Sequence, residues 1–86
     1  MSINTSMGNI TREVLIDVSL QDFTDNNGFF IRSGAGNIKY CPLGNNDAEA
    51  ITKTVDASAI FNDPVICRKV FSSGTTATGI YVGYGV

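Results

Sequence analysis

Apolar and polar residues alternate along much of this chain with a period of two. From Val14 onward, Val14, Ile16, Val18 and Leu20 hold one parity against Leu15, Asp17, Ser19 and Gln21, the pattern of a half-buried β-strand. Asp25-Asn26-Asn27-Gly28 tolerates positive φ and predicts a turn before Phe29-Phe30-Ile31-Arg32. The link Ser33-Gly34-Ala35-Gly36 then leads to Asn37-Ile38-Lys39-Tyr40-Cys41, and two short strands around a glycine-containing link predict a β-hairpin. Pro42, which has no N–H to give a ladder, closes the second strand together with Gly44-Asn45-Asn46-Asp47.

Residues 48–59 carry two periods at once. Ala48, Ile51, Val55 and Ala59 fall at helical spacing, while Ile51, Lys53 and Val55 alternate with Thr52 and Thr54. The β-branched run Ile51-Thr52-Lys53-Thr54-Val55 favours a strand, with a short helix as the alternative. Asn62-Asp63-Pro64 is a turn signal, and Val65-Ile66-Cys67-Arg68-Lys69-Val70-Phe71 behind it predicts a central strand. After a further turn at Ser72-Ser73-Gly74-Thr75-Thr76, a last strand over 78–86 places Ile80, Val82, Tyr84 and Val86 on one parity against Tyr81, Gly83 and Gly85. About six short strands, punctuated at regular intervals, predict an all-β, antiparallel sandwich or small jelly-roll-like barrel over residues 12–86. Residues 1–11 are small, polar and aperiodic, and read either as an N-terminal arm that orders only against a partner or as a disordered tail.

Composition adds a constraint on stability. A chain of 86 residues holds one core, and folding alone removes only roughly 60% of its surface from water. With no Trp, five Phe and three Tyr, that core is thin. Charged residues make up 16% of the chain, and Gly, Asn, Ser and Thr together more than a third. Neutral polar groups enter an interface without the desolvation cost of charges, so this composition suits a subunit buried in an assembly with copies of itself. A net charge of −2 with six scattered basic residues supplies no footprint for nucleic acid. No apolar run approaches the ~18 residues that span a bilayer, and residues 1–9 lack a signal pattern. The reading is of a protein made and kept in a reducing cytoplasm until it assembles.

Candidate chemistry is sparse. Histidine is absent, which removes Ser-His-Asp and Cys-His arrangements and the commonest general base. The carboxylate pairs Asp22 with Asp25 and Asp47 with Glu49 sit in loop-like sequence, where acidic residues cap and turn. Ser33-Gly34-Ala35-Gly36 lacks the third glycine of a dinucleotide loop, Gly74-Thr75-Thr76 lacks the lysine of a P-loop, and Asp25-Asn26-Asn27 misses calcium-loop spacing. Cys41 and Cys67 match no metal spacing and read as small buried residues, with a disulfide across a sheet as the alternative. No catalytic, metal or cofactor site is assigned. Phe29, Phe30, Phe61, Phe71, Tyr81 and Tyr84 read as core, with a carbohydrate groove as the alternative. Gly83 and Gly85 leave their face of the last strand without bulk, so that another backbone can approach there.

The segment Pro64-Val65-Ile66-Cys67-Arg68-Lys69-Val70-Phe71-Ser72-Ser73-Gly74-Thr75-Thr76-Ala77-Thr78-Gly79-Ile80-Tyr81 resembles the ending of small virion proteins of tailed phages and gene transfer agents, in which a "P-V-x-x-x-R-V-F/Y" strand leads into "G-T-T-A-T-x-I". Gly28 to Arg32 and Gly36 to Lys39 look like the same family's hairpin. Where that family carries an "A-G" pair, this chain has Asn62-Asp63, and its arm is longer than the motif needs. The resemblance implies a β-sandwich on the outside of a capsid: a head-spike base, fibre base or decoration protein that forms a symmetric homo-oligomer and contacts the major capsid protein, other virion proteins or a fibre. A tail or baseplate component and a receptor- or glycan-binding tip are the alternatives. On this reading Gly74, Thr75, Thr76, Thr78, Tyr81 and Gly83 form the subunit or capsid seam, and the arm, through Ile3 and Met7, reaches a partner.

Overall fold

The computed structural model describes residues 10–56 and 61–85, with the backbone alone over 61–64. Six strands form: β1 (Ile10–Ile16), β2 (Phe23–Ser33), β3 (Gly36–Pro42), β4 (Ile51–Val55), β5 (Phe61–Val70) and β6 (Ile80–Gly85). All pair antiparallel in one sheet of order β1-β6-β2-β5-β3-β4, with a single 3₁₀ turn at Asp47–Glu49 among the described residues. The expected all-β fold is present as one sheet curled around its core. The β-branched run becomes β4, Pro42 ends β3, and β5 lies inside the sheet, as its composition predicted.

Several local expectations change. Ile10 and Thr11 belong to β1 rather than to an arm, because Ile10 pairs with Gly85 of β6. The turn predicted at residues 25–28 is a bulge within the continuous strand β2: Thr24 pairs with Lys69 and Phe29 with Cys67, so residues 25–28 stand against Arg68 alone. Gly28 takes φ +97 there, and Asp25 accepts the Asn27 N–H, so the turn chemistry acts locally without reversing the chain. The Asn62-Asp63-Pro64 signal likewise lies inside β5, at a second irregularity where Phe29 faces Cys67 and Ile31 faces Asp63.

The predicted β2–β3 hairpin is not formed, since β5 is inserted between the two strands. Instead the chain turns a corner at Gly34 and Ala35, and the segment 71–79 follows it on the outside. Phe71 N–H donates to the Lys39 carbonyl at 2.9 Å, Thr76 and Ala77 N–H to the Asn37 carbonyl at 2.8 and 2.9 Å, and Gly34 N–H to the Thr78 carbonyl at 3.0 Å. Beyond this corner β6 pairs with β2 through Phe30↔Gly83, Ile31↔Val82 and Arg32↔Tyr81. Gly36 makes the bend with φ +122, where a Cβ would lie 2.7 Å from Ala77 Cα.

The interior consists of Val18, Phe29, Ile31, Ile38, Tyr40, Cys67, Val70, Ile80 and Val82, drawn from both sides of the corner. Phe23 meets Phe29 edge to face with centroids 5.2 Å apart. Val14, Ile16 and Val18 keep the predicted inward parity, but Leu20 does not. β1 ends at Ile16, and a bend fixed by Asp17 Oδ1 accepting the Ser19 N–H at 2.9 Å leaves Leu20 94% exposed. Cys41 and Cys67 are both buried and form no disulfide, matching the small-residue reading.

Replacing Gly36 by Ala is expected to cost about 2–3 kcal/mol of unfolding free energy through positive φ and overlap with Ala77. Gly44→Ala, whose Cβ would meet nothing within 4 Å, is expected to be near neutral, and urea denaturation of the two variants checks the pair.

Candidate functional site

The Gly74-Thr75-Thr76-Ala77-Thr78 run lies along the outside of the β2–β3 corner. β5 leaves the sheet at Val70, and from there the edge of β3 lacks a regular strand partner. Threonine side chains take over that role. Thr75 Oγ1 accepts the Lys39 N–H and Thr76 Oγ1 the Asn37 N–H, each at 2.9 Å. Gly74, at φ +93, sits over the Lys39 side chain, where a Cβ would stand 3.1 Å from Cδ. Of the hydroxyls that the sequence reading assigned to a seam between subunits, those of Thr75 and Thr76 therefore accept from the chain's own backbone, because departing β5 leaves donors that need acceptors.

This run forms one wall of a groove of about 510 Å³; the opposite wall is residues 15–19. Leu15, Val18, Ala77 and Ile80 supply its apolar surface, Thr75, Thr76 and Thr78 its hydroxyl side, and Asp17 its one charged lining residue. The expected site residues thus divide into two places. Thr75, Thr76 and Thr78 line the groove, whereas Tyr81 and Gly83 lie on the outer face of β6. Ile3 and Met7 fall outside the described residues.

On β6 the expected open approach is filled from within. Gly83 is buried, and a Cβ on it would lie 2.9 Å from Ile10 Cγ2 of β1, so the bulk missing from the glycine is supplied by the chain's own edge strand. Tyr81 is half-buried beneath Arg32, whose Cζ stands 4.7 Å from the ring centroid. Arg32 also grips Glu13 with two hydrogen bonds, at 2.8 and 3.0 Å. Arg12 covers Tyr84 at 4.9 Å, and Lys39 and Lys69 both approach Phe71, at 5.1 and 4.7 Å. The chain's own cations occupy ring faces that a carbohydrate would need for stacking.

The four loop carboxylates cap and clamp. Asp22 Oδ1 accepts the Ser72 N–H at 2.7 Å, and Asp25 accepts from Asn27 N–H and from Tyr84 Oη at 2.8 Å. Asp47 bridges Arg68 and Lys69, and Glu49 Oε1 accepts the Asn46 N–H in a capping box around the 3₁₀ turn. The hydrogen bonds from Lys69 and Arg68 hold Asp47 below the usual carboxylate range, those from Asn27 and Tyr84 do so for Asp25, and that from Arg32 for Glu13. Burial, with the Asp25 hydrogen bond, pushes the Tyr84 phenol up, and Asp47 raises Lys69.

Sequence reasoning passed over the exposed aliphatic side chains: Leu15 at 60%, Leu20 at 94%, and Leu43, Val65 and Ile66. Leu15 carried a signal, being apolar on the parity opposite to the core. Leu43 and Ile66 gather over Gly28, where a Cβ would stand 2.7 Å from Ile66 Cγ2 and 3.7 Å from Leu43 Cδ2. Only the bulge at residues 25–28 creates that gathering, and no pattern in the sequence announces it. The chain matches no family model, no curated protein and no solved structure.

Thr75→Val is expected to lower stability by about 1–2 kcal/mol by leaving the Lys39 N–H without its acceptor, as equilibrium unfolding would show. The lowered carboxylates stabilise the fold fully above about pH 4 and lose that contribution as pH falls through their folded values. Raised Lys69 and Tyr84 act oppositely, contributing below about pH 10 and losing effect as pH rises through their folded values. A denaturant midpoint measured against pH should form a plateau falling at both ends, and Asp47→Asn should lower the plateau and soften its acid side.

Proposed function

We propose that this chain is a non-enzymatic structural subunit that completes its fold by associating with copies of itself. One observation carries the reading. Among the described residues five large aliphatic side chains, Leu15, Leu20, Leu43, Val65 and Ile66, remain exposed beside a core of eleven hydrophobic residues. Leu43 and Ile66 gather over Gly28 and Leu15 lines the groove, so they offer apolar surface that association would cover. The two edge strands favour contact through faces rather than added strands. β1 is bulged between Ile10 and Arg12 and carries Arg12 and Glu13, and β4 carries Lys53, features that discourage edge-to-edge pairing.

The assembly we propose is a tailed-phage virion, with the subunit on the capsid surface as a spike base, fibre base or decoration protein. Support for that location is the resemblance of residues 64–81 to small virion proteins. The absence of histidine and the structural use of Asp22, Asp25, Asp47 and Glu49 support a role without catalysis. Its partners are then identical copies and the shell.

Native mass spectrometry of the purified protein is expected to give one discrete homo-oligomer. A monomer unchanged over a wide concentration range would contradict the proposal.

A further inference from the structure

Asn27 is the one asparagine of this chain that precedes a glycine. The pairing matters chemically. A backbone nitrogen that follows an asparagine is placed to attack the side-chain carboxamide, and the chief obstacle to that attack is the side chain of the following residue. Gly28 has none, whereas every other asparagine precedes a residue that carries one, such as Ile38 after Asn37.

The fold holds the pair where the reaction has room. Residues 25–28 form the bulge of β2 and stand against Arg68 alone, between the fixed pairs Thr24↔Lys69 and Phe29↔Cys67. Asn27 is exposed to water, and its N–H, rather than its side chain, bonds Asp25 Oδ1 at 3.0 Å. Packing also fixes the glycine. At φ +97, with a Cβ that would lie 2.7 Å from Ile66 Cγ2, position 28 admits no side chain that would slow the attack.

We propose that Asn27 is a site of spontaneous deamidation in the folded protein. The Gly28 nitrogen, its proton taken by hydroxide, forms a bond to Asn27 Cγ, and the side-chain nitrogen leaves as ammonia, closing a succinimide ring. Water then opens the ring. Cleavage of the new bond to Cγ leaves aspartate, and cleavage of the original backbone bond leaves isoaspartate, with the chain rerouted through the side-chain methylene. Net, a neutral amide and water become a carboxylate and ammonium. A regular ladder would lose its register to the added methylene, but a bulge already carries surplus backbone between fixed pairs and takes up the extra length without the sheet opening. The new carboxylate stands close to that of Asp25, beside the recess lined by Phe30, Ile66 and Gly83.

The test incubates the full chain in mildly alkaline buffer, folded or unfolded in guanidinium chloride, and follows the peptide containing Asn27 by mass spectrometry, with isoaspartate separated by chromatography. If Asn27 reacted only through global unfolding, the folded chain would be slower than the unfolded one by roughly a thousandfold or more. Local freedom in the bulge predicts a slowing of less than about tenfold. Asn27→Gln, at an exposed position, should keep the wild-type circular dichroism and lose the modification, because the larger ring that glutamine must close forms far more slowly. A slowing beyond about tenfold, or a carboxylate that appears first at another asparagine, overturns the assignment.

Discussion

A single β-sheet has two faces, and this chain is long enough to cover only one of them. Phe29, Ile31, Ile38, Tyr40, Cys67, Val70, Ile80 and Val82 come from β2, β3, β5 and β6 and share one interior, which requires the sheet to curl until these faces meet. Everything else about the molecule follows from that curl. The strands must bend, the bends break register, and among the described residues the convex side has no second layer to rest against. Arg32 on Tyr81 and the lysines on Phe71 cover part of that side with long side chains. Leucine, valine and isoleucine stay exposed where no such cover exists.

The corner at Gly34–Gly36 shows how the curl is held. Two long stretches, β2 with β3 and β5 with β6, follow one another around it, and the ladder is interrupted where β5 leaves. Backbone bonds to Lys39, Asn37 and Thr78, with hydroxyls from Thr75 and Thr76, close the interruption. A threonine hydroxyl accepts a hydrogen bond without requiring its backbone to lie in the strand, so a loop can serve as a strand partner while changing direction. The same loop then supplies one wall of the groove.

What could be read from the sequence was the part set by neighbours in the chain. Period-two alternation located the strands, β-branching decided Ile51–Val55, and Pro42 ended its strand because a missing N–H cannot be supplied by any fold. What could not be read was pairing. Asp25-Asn26-Asn27-Gly28 and Asn62-Asp63-Pro64 have the chemistry of turns, yet each is held in an extended strand by the partner across the ladder, and the surplus residues become bulges. The glycine link was read as a hairpin because adjacent strands usually pair, and the insertion of β5 between β2 and β3 is a long-range event with no local mark. The intrachain contacts of the expected seam residues were not legible for the same reason. Thr75, Thr76 and Gly83 looked available until tertiary structure brought Lys39, Asn37 and Ile10 to them.

On the function proposed above, the folded chain is stabilised by contact with its own copies. Calorimetric unfolding across a wide range of protein concentration addresses this directly, because mass action raises the unfolding temperature of an associating protein as its concentration rises and leaves that of a self-sufficient domain unchanged. A midpoint that climbs steadily with concentration is the predicted result. A midpoint that stays constant over that range would contradict the claim.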